Sequence, residues 1–558
     1  MKHLMLATAM VFLSLGAISQ AVPMKYAVFF TDKSNSNYSV SDPLAFLSQR
    51  AIDRRTNCGA IVSTQDFPVN PWYNDSLRNA GVQVICSSRW MNFSIIHTTD
   101  SASLVAVQNL PFVSRVVLVG YGDPKKKSII VKPKEHPVKG KGKNGLKSAK
   151  GIMSYDYGTS YNQIYMLSGD AMHDMGYRGR GVRIAVLDAG FIKVNQMAVF
   201  DSLFAENRVL GTWNFIDNNV NVYHTATHGS FVLSLMASNV PGEIIGTAPE
   251  ASYYLLRTED SGSEYIVEEY FWVCGAEYAD SAGADIINSS LGYTVFDDTL
   301  TNHTYADMNG DICPSTVAAD LAAVRGILVV NSAGNSGANE WRYLGAPSDA
   351  DSILAVGSVD YQGLYSTFSS LGPSSDGQVK PDVVSQGQES VVAALDGGVQ
   401  TGSGTSFSSP IIAGMMACLA QANPEATNMQ LIEAVRQSAT LYQNPDTLVG
   451  YGIPNFSYAN LLLAGTPVPK FSQSALINLY PNPFSSEINV QYFSADSQRV
   501  TLELRNSDGK IVYRHAYNLR PNGYYIFSID GNVAVTQGIY VLSVTNERST
   551  ISRKVVKK

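Results

Sequence analysis

The stretch "RIAVLD" at residues 183–188, followed by Ala189 and Gly190, decides the fold. Residues 184–187 are consecutively apolar between two charges, so a strand here has no polar face. Comparable runs recur at 252–258 ("SYYLLRT"), 284–292 ("ADIINSSLG"), 326–335 ("GILVVNSAGN") and 352–359 ("SILAVGSV"). As a set they are rich in β-branched residues, and helix-length segments separate them. Strands apolar on both faces are buried on both faces, which predicts a parallel sheet flanked by helices, an α/β architecture, over residues 151–465. Ligands of such sheets bind beyond the carboxyl ends of the strands. That rule singles out Asp188, the trio Ser290, Leu291 and Gly292, and Asn335.

The rest of the chain has a different texture. Its 558 residues exceed one compact core and suggest about three or four domains. Residues 22–122 mix strand-like runs ("KYAVFF", "RVVLVGYG") with a helical pattern over 42–55 ("DPLAFLSQRAIDRR"), as in a small α+β domain. The segment 124–150 then contains ten lysines and loses all apolar periodicity, which reads as a solvated linker open to proteolysis. After a second linker, residues 466–558 alternate with period two ("VTLELRNSDGKIVYRH", "GYYIFSID", "GIYVLSVTN"), predicting a β-sandwich.

Composition narrows the class. With 45% apolar and 16% charged residues the chain is globular, and a net charge of -7 excludes a globally basic nucleic-acid binder. Lys2, an apolar run from Leu4 to Leu15 and small residues at Ser19 and Ala21 suit a signal peptide over 1–21, the apolar run itself being too short to span a bilayer. No later segment suits an integral membrane span. Five scattered cysteines carry no C-x-x-C pair; export leaves a Cys274–Cys313 bridge open to consideration.

Chemistry enters with "GTSFSSP" at 404–410, ahead of the apolar run "IIAGMMACLA". A serine hydroxyl attacks only when a base takes its proton and a third group orients that base. His228 opens the helical pattern "HGSFVLSLMA", Asp188 ends its strand before a glycine turn, and Asn335 lies in a glycine-rich loop able to present an amide to an oxyanion. His224 and His228 are spaced as zinc ligands, but Thr225 stands where the H-E-x-x-H motif needs glutamate. The segment "DMNGD" opens like a calcium loop and lacks its glycine and closing glutamate. No metal ligands are assigned.

In order and spacing, "VLDAG", "HGSFVLSLMA", "SAGNSG" and "GTSFSSP" resemble the four signature blocks of the subtilisin-like serine endopeptidases. "INSSLG" (287–292) and "GYGIPN" (450–455) resemble the family's substrate-cleft strand and a later glycine segment. The resemblance implies Ser406 as nucleophile, His228 as base, Asp188 as its orienting acid, and Asn335 with the Ser406 N–H as oxyanion donors. It further implies substrate binding at Ser290, Leu291 and Gly292, no cofactor for catalysis, and structural calcium whose site the sequence does not locate. Ala189 and Ser230 replace common threonines without removing a reacting group. Residues 22–150 look like an inhibitory propeptide, and "LYPNPFSSEINV" with the lysine-rich end resembles the sorting domain of type IX secretion. The expectation is a secreted or cell-surface endopeptidase acting on protein or peptide substrates, exported through periplasm and outer membrane, with its propeptide and the secretion machinery as partners. A surface protein that binds peptides without cutting them is the rival.

Overall fold

The computed structural model describes residues 24–122, 155–464 and 474–558, apart from 486, 497, 520–522 and 534–535. The signal peptide at 1–21 and the lysine-rich segment at 124–150 lie outside the described residues.

The N-terminal domain has four strands, β1 (Met24–Phe30), β2 (Gln83–Ser88), β3 (Phe93–Thr98) and β4 (Val113–Tyr121), in an antiparallel sheet of order β2-β3-β1-β4. Its helices are α1 (Gln49–Cys58), α2 (Pro71–Asn79) and α3 (Ser101–Gln108). Helix α1 is shorter than the pattern over 42–55 predicts. Pro43 opens a separate short turn, and α1 starts only where the Ser48 hydroxyl accepts the Ala51 N–H as a cap. Along β1 the side chains alternate between two cores. Val28 and Phe30 pack with Tyr73, Leu77 and Val107 of the domain's own helices, whereas Ala27 and Phe29 face the second domain.

That second domain holds β5 (Arg183–Asp188), β6 (Val209–Asn214), β7 (Ser252–Arg257), β8 (Ile286–Ser289), β9 (Leu328–Ser332), β10 (Leu354–Val359) and β11 (Val383–Gln386). They form one parallel sheet in the order β11-β10-β9-β8-β5-β7-β6. Helices α4 (His228–Ala237) and α7 (Thr405–Ala422) cover one face; α5 (Val267–Ala282) and α6 (Pro314–Val324) cover the other. Ile184 and Val186 enter the first core, Ala185 and Leu187 the second, and all four are 0% exposed. Burial of one aliphatic side chain contributes about 1.5–3 kcal/mol, so a doubly covered strand needs the uninterrupted apolar run that β5 has.

Topology sets the place of the site. From β5 the chain moves to the β6 edge, and from β8 it moves toward the β11 edge, so the connections diverge between neighbouring β5 and β8. A crevice opens at such a switch point.

The last domain stacks a three-stranded sheet (Ala475–Tyr480, Glu487–Ser494, Gly523–Asp530) with a four-stranded one (Gln498–Arg505, Ile511–Leu519, Gly538–Thr545, Thr550–Lys557). Ile488, Val490, Leu502, Leu504, Leu542 and Val544 fill one core between them, each two residues from the next on its strand.

Seating of the N-terminal domain on α5 is partly ionic. Asp280, 0% exposed, accepts from Arg54 at 2.5 Å, from Arg55 at 2.8 Å and from Arg89. Glu277 accepts the Ser88 hydroxyl and the backbone N–H groups of Arg89 and Trp90. Asp66 answers in the other direction, pairing with Arg325 at 2.7 Å. Burial opposes ionisation of Asp280, yet the surrounding guanidiniums hold its carboxyl below the ordinary value.

Candidate active site

Asp188 closes β5 and is fully buried, its Oδ1 accepting the Ala189 N–H at 2.7 Å. The next residue must be glycine. Gly190 has φ +150°, and a Cβ there would lie 2.3 Å from the Thr225 hydroxyl oxygen. A Cβ on Gly229 would in turn stand 2.4 Å from the Gly190 carbonyl oxygen. The two glycines let the start of α4 press against the β5 turn, which brings His228, the first residue of α4, over the end of the sheet. There the His228 Nδ1 lies 3.0 Å from each Asp188 carboxylate oxygen. His224 instead approaches Asp217, at 3.7 Å, so the two histidines serve different partners.

Ser406 is the second residue of α7. Its hydroxyl donates to the Ser290 carbonyl at 3.3 Å, and the Ser290 hydroxyl donates back to the Ser406 carbonyl at 2.9 Å. Pro410 explains the second bond. It lies inside α7 rather than in the first turn, and without an N–H it leaves the carbonyl four residues earlier, that of Ser406, without its helical donor. Ser290 supplies one from the end of β8. The neighbouring Phe407 ring lies 6.1 Å from the His228 ring.

Asn335 is fixed by its oxygen. Its Oδ1 accepts the Thr405 N–H at 2.8 Å and the Thr405 hydroxyl at 3.0 Å, which leaves the Nδ2 hydrogens as the outward donors. A Cβ built on Gly404 would be 3.4 Å from Asn335 Nδ2 and 3.8 Å from the Ser406 nitrogen, so both donors flank the same glycine. Thr405 thus orients Asn335, a role the sequence marks only by its place between the glycine and Ser406.

Beyond β8, Ser290 is nearly buried, the Leu291 carbonyl accepts Asn331 Nδ2 at 3.1 Å, and Gly292 is exposed. The Tyr293 N–H then donates to the Ala346 carbonyl at 2.8 Å. The expected site residues therefore come from β5, α4, the β8 and β9 ends and α7. Two further groups of ligand-type atoms gather within 4.8 Å: Glu259, Glu264 and Glu268, and Glu269, His303 and Cys313. The first, all carboxylate, has the oxygen chemistry a hard cation uses. Burial raises its carboxyls, with neighbouring carboxylates adding to it, Asp297 in the case of Glu264, which reaches about 7; Tyr293 donates its hydroxyl to Glu259. Neither group contains an expected site residue.

Residues 179–452 match the model of the subtilase family, residues 25–132 that of the peptidase S8 propeptide domain of Bacteroidota, and residues 478–558 that of a secretion system C-terminal sorting domain. Over 301 residues the chain is 30% identical to subtilisin NAT of Bacillus subtilis subsp. natto and to subtilisin E of Bacillus subtilis (strain 168), covering 53% of this chain and 70% of each relative. Subtilisin of Bacillus pumilus is also 30% identical, with 97% of its length covered. Among solved structures the chain is similar to MycP1 with its N-terminal propeptide removed, at 21% identity and a TM-score of 0.43, covering 56% of this chain and 98% of that one.

The chain belongs to the subtilase family. It is a serine endopeptidase made with a propeptide, and its sorting domain marks it for export to the cell surface or beyond. Among the described residues no helix is long and apolar enough to cross a membrane.

Proposed function

We propose that the enzyme hydrolyses peptide bonds of protein or peptide substrates through an acyl-enzyme on Ser406. The observation that carries this reading is the hold of buried Asp188 on His228 Nδ1, 3.0 Å from each oxygen. With Nδ1–H committed to the carboxylate, the neutral imidazole keeps its lone pair on Nε2. The Ser406 hydroxyl leaves its long 3.3 Å bond to Ser290 by rotation about one side-chain torsion, gives its proton to Nε2 and attacks the scissile carbonyl. Asn335 Nδ2 and the Ser406 N–H donate to the oxyanion, and the α7 N-terminus favours the same charge. As the C–N bond breaks, His228 returns the proton to the leaving amine. Water, activated by the same imidazole, then frees the acid product.

Ser290, Leu291 and Gly292 offer main chain to the substrate on one side of Ser406. No cofactor takes part in these steps, and calcium, where bound, acts on stability alone. The precursor divides near residues 21, 150 and 465. Its N-terminal domain is the intramolecular inhibitor: β4 ends with the Tyr121 ring 5.6 Å from that of Tyr265, just before α5, where the Glu264 carbonyl accepts the Asp297 N–H of the loop that follows Tyr293. No nucleic acid is involved.

A fluorophosphonate tests the proposal, because it bonds only to an activated serine. The matured wild type is expected to gain one label on the peptide containing Ser406, and Ser406→Ala none. A matured wild type that does not label would favour the rival, a surface protein that binds without cutting.

A further inference from the structure

We propose that Cys86 and Cys274 form a disulfide that joins the propeptide covalently to the peptidase domain and keeps it there after the linking segment has been cut. Cys86 belongs to β2 of the propeptide and Cys274 to α5 of the peptidase, yet their sulfurs lie 2.8 Å apart. The pairing considered from sequence, Cys274 with Cys313, is replaced: Cys313 turns to the Asp307 carbonyl, and Cys418 to that of Thr247.

A local irregularity aims Cys86. Val84 packs on the propeptide's own core, so strict alternation would send Ile85 to the peptidase and Cys86 back to that core. The β2–β3 register instead shifts between Val84, opposite Ile96, and Cys86, opposite Ile95. This bulge leaves Ile85 without a partner of its own and puts both Ile85 and Cys86 on the face shared with α5. Alternation then resumes, with Ser87 bonded to Ser94 and Asn74 within the propeptide and Ser88 to Glu277 on α5.

The chemistry is thiol–disulfide exchange in the oxidising space outside the cytoplasm. Cys86 is partly exposed, while Cys274 is buried, and burial with the neighbouring sulfur pushes its thiol well above the ordinary value. Cys86, as thiolate, attacks the disulfide of an extracytoplasmic dithiol oxidase and forms a mixed disulfide, releasing one oxidase thiol. Cys274 gives up its proton and attacks the Cys86 sulfur; the Cys86–Cys274 bond forms and the second oxidase thiol departs. Two electrons and two protons pass to the oxidase, which ends as a dithiol.

The bond changes what processing does. A cut between residues 122 and 155 separates the backbone, but the two domains remain one molecule, and rebinding of the inhibitor is intramolecular. Activity then requires reduction of the bridge or digestion of the propeptide. This inference concerns the domain junction and does not rest on the assigned catalytic roles.

The test uses full-length protein collected after export, denatured and alkylated at once, then digested without reductant. A peptide pair joining Cys86 to Cys274 is expected by mass spectrometry, and both cysteines recovered as alkylated free thiols would overturn the proposal. A second measurement cuts the linking segment with trypsin and follows the fragments under denaturing, non-reducing conditions. Wild type is expected to stay one species until dithiothreitol is added, while Cys86→Ser separates at once. Wild type separating without reductant would equally refute the tether.

Discussion

Replacing Asp280 by asparagine should loosen the propeptide while leaving the mature peptidase intact. Three guanidiniums of the propeptide, Arg54, Arg55 and Arg89, converge on this fully buried carboxylate. Asparagine keeps the size and removes the charge, so Arg55 is left with Asp66, Arg89 with Glu277, and Arg54 without an ion pair. Breaking a buried ion pair by removing one partner costs about 3–5 kcal/mol, and each 1.4 kcal/mol is about tenfold, so affinity should fall by roughly 10²–10³-fold or more. The free peptidase does not bear that cost, because water solvates position 280 once the propeptide has left. The assay cuts the linking segment of Cys86→Ser and of Cys86→Ser/Asp280→Asn and compares propeptide dissociation by size-exclusion chromatography and native mass spectrometry. Dissociation within threefold of the parent, or a freed peptidase with lowered kcat/KM, would refute the reasoning.

Ser290→Ala should destabilise the peptidase domain by about 1–3 kcal/mol in denaturant titration, since the Ser406 carbonyl already lacks a helical donor at Pro410 and would lose its substitute. Glu264, raised by burial and Asp297 from 4.5 to about 7, supports the fold when protonated, and this contribution disappears as pH climbs through 7. Glu264→Gln should therefore stabilise the enzyme at pH 8.5, by on the order of 2 kcal/mol after allowance for solvent screening, and change little at pH 4.5; thermal melts at the two pH values decide it.

The sheet was legible because its strands are apolar on both faces, and β5 shows it residue by residue: Ile184 and Val186 go one way, Ala185 and Leu187 the other. Asp188, His228, Asn335 and Ser406 could be singled out because each stands beside glycine or at an element boundary. Other features had no local signal. Arg54 and Arg55 end the helical pattern over 42–55, and their partner Asp280 is more than 200 positions away. The approach of Cys86 to Cys274 depends on a one-residue bulge that no composition or period announces. Pro410 lies inside α7, which tolerates it because Ser290, 116 positions from Ser406, takes over the orphaned carbonyl.

The most direct measurement of the central claim is a double-mutant cycle in kcat on one peptide substrate, with Ser406→Ala, His228→Ala and the double variant, each matured by added protease. If the two side chains act as one device, each single change should cost about 10⁶-fold and the double no more than either. Losses that multiply in the double variant, or substantial hydrolysis by Ser406→Ala, would contradict the account.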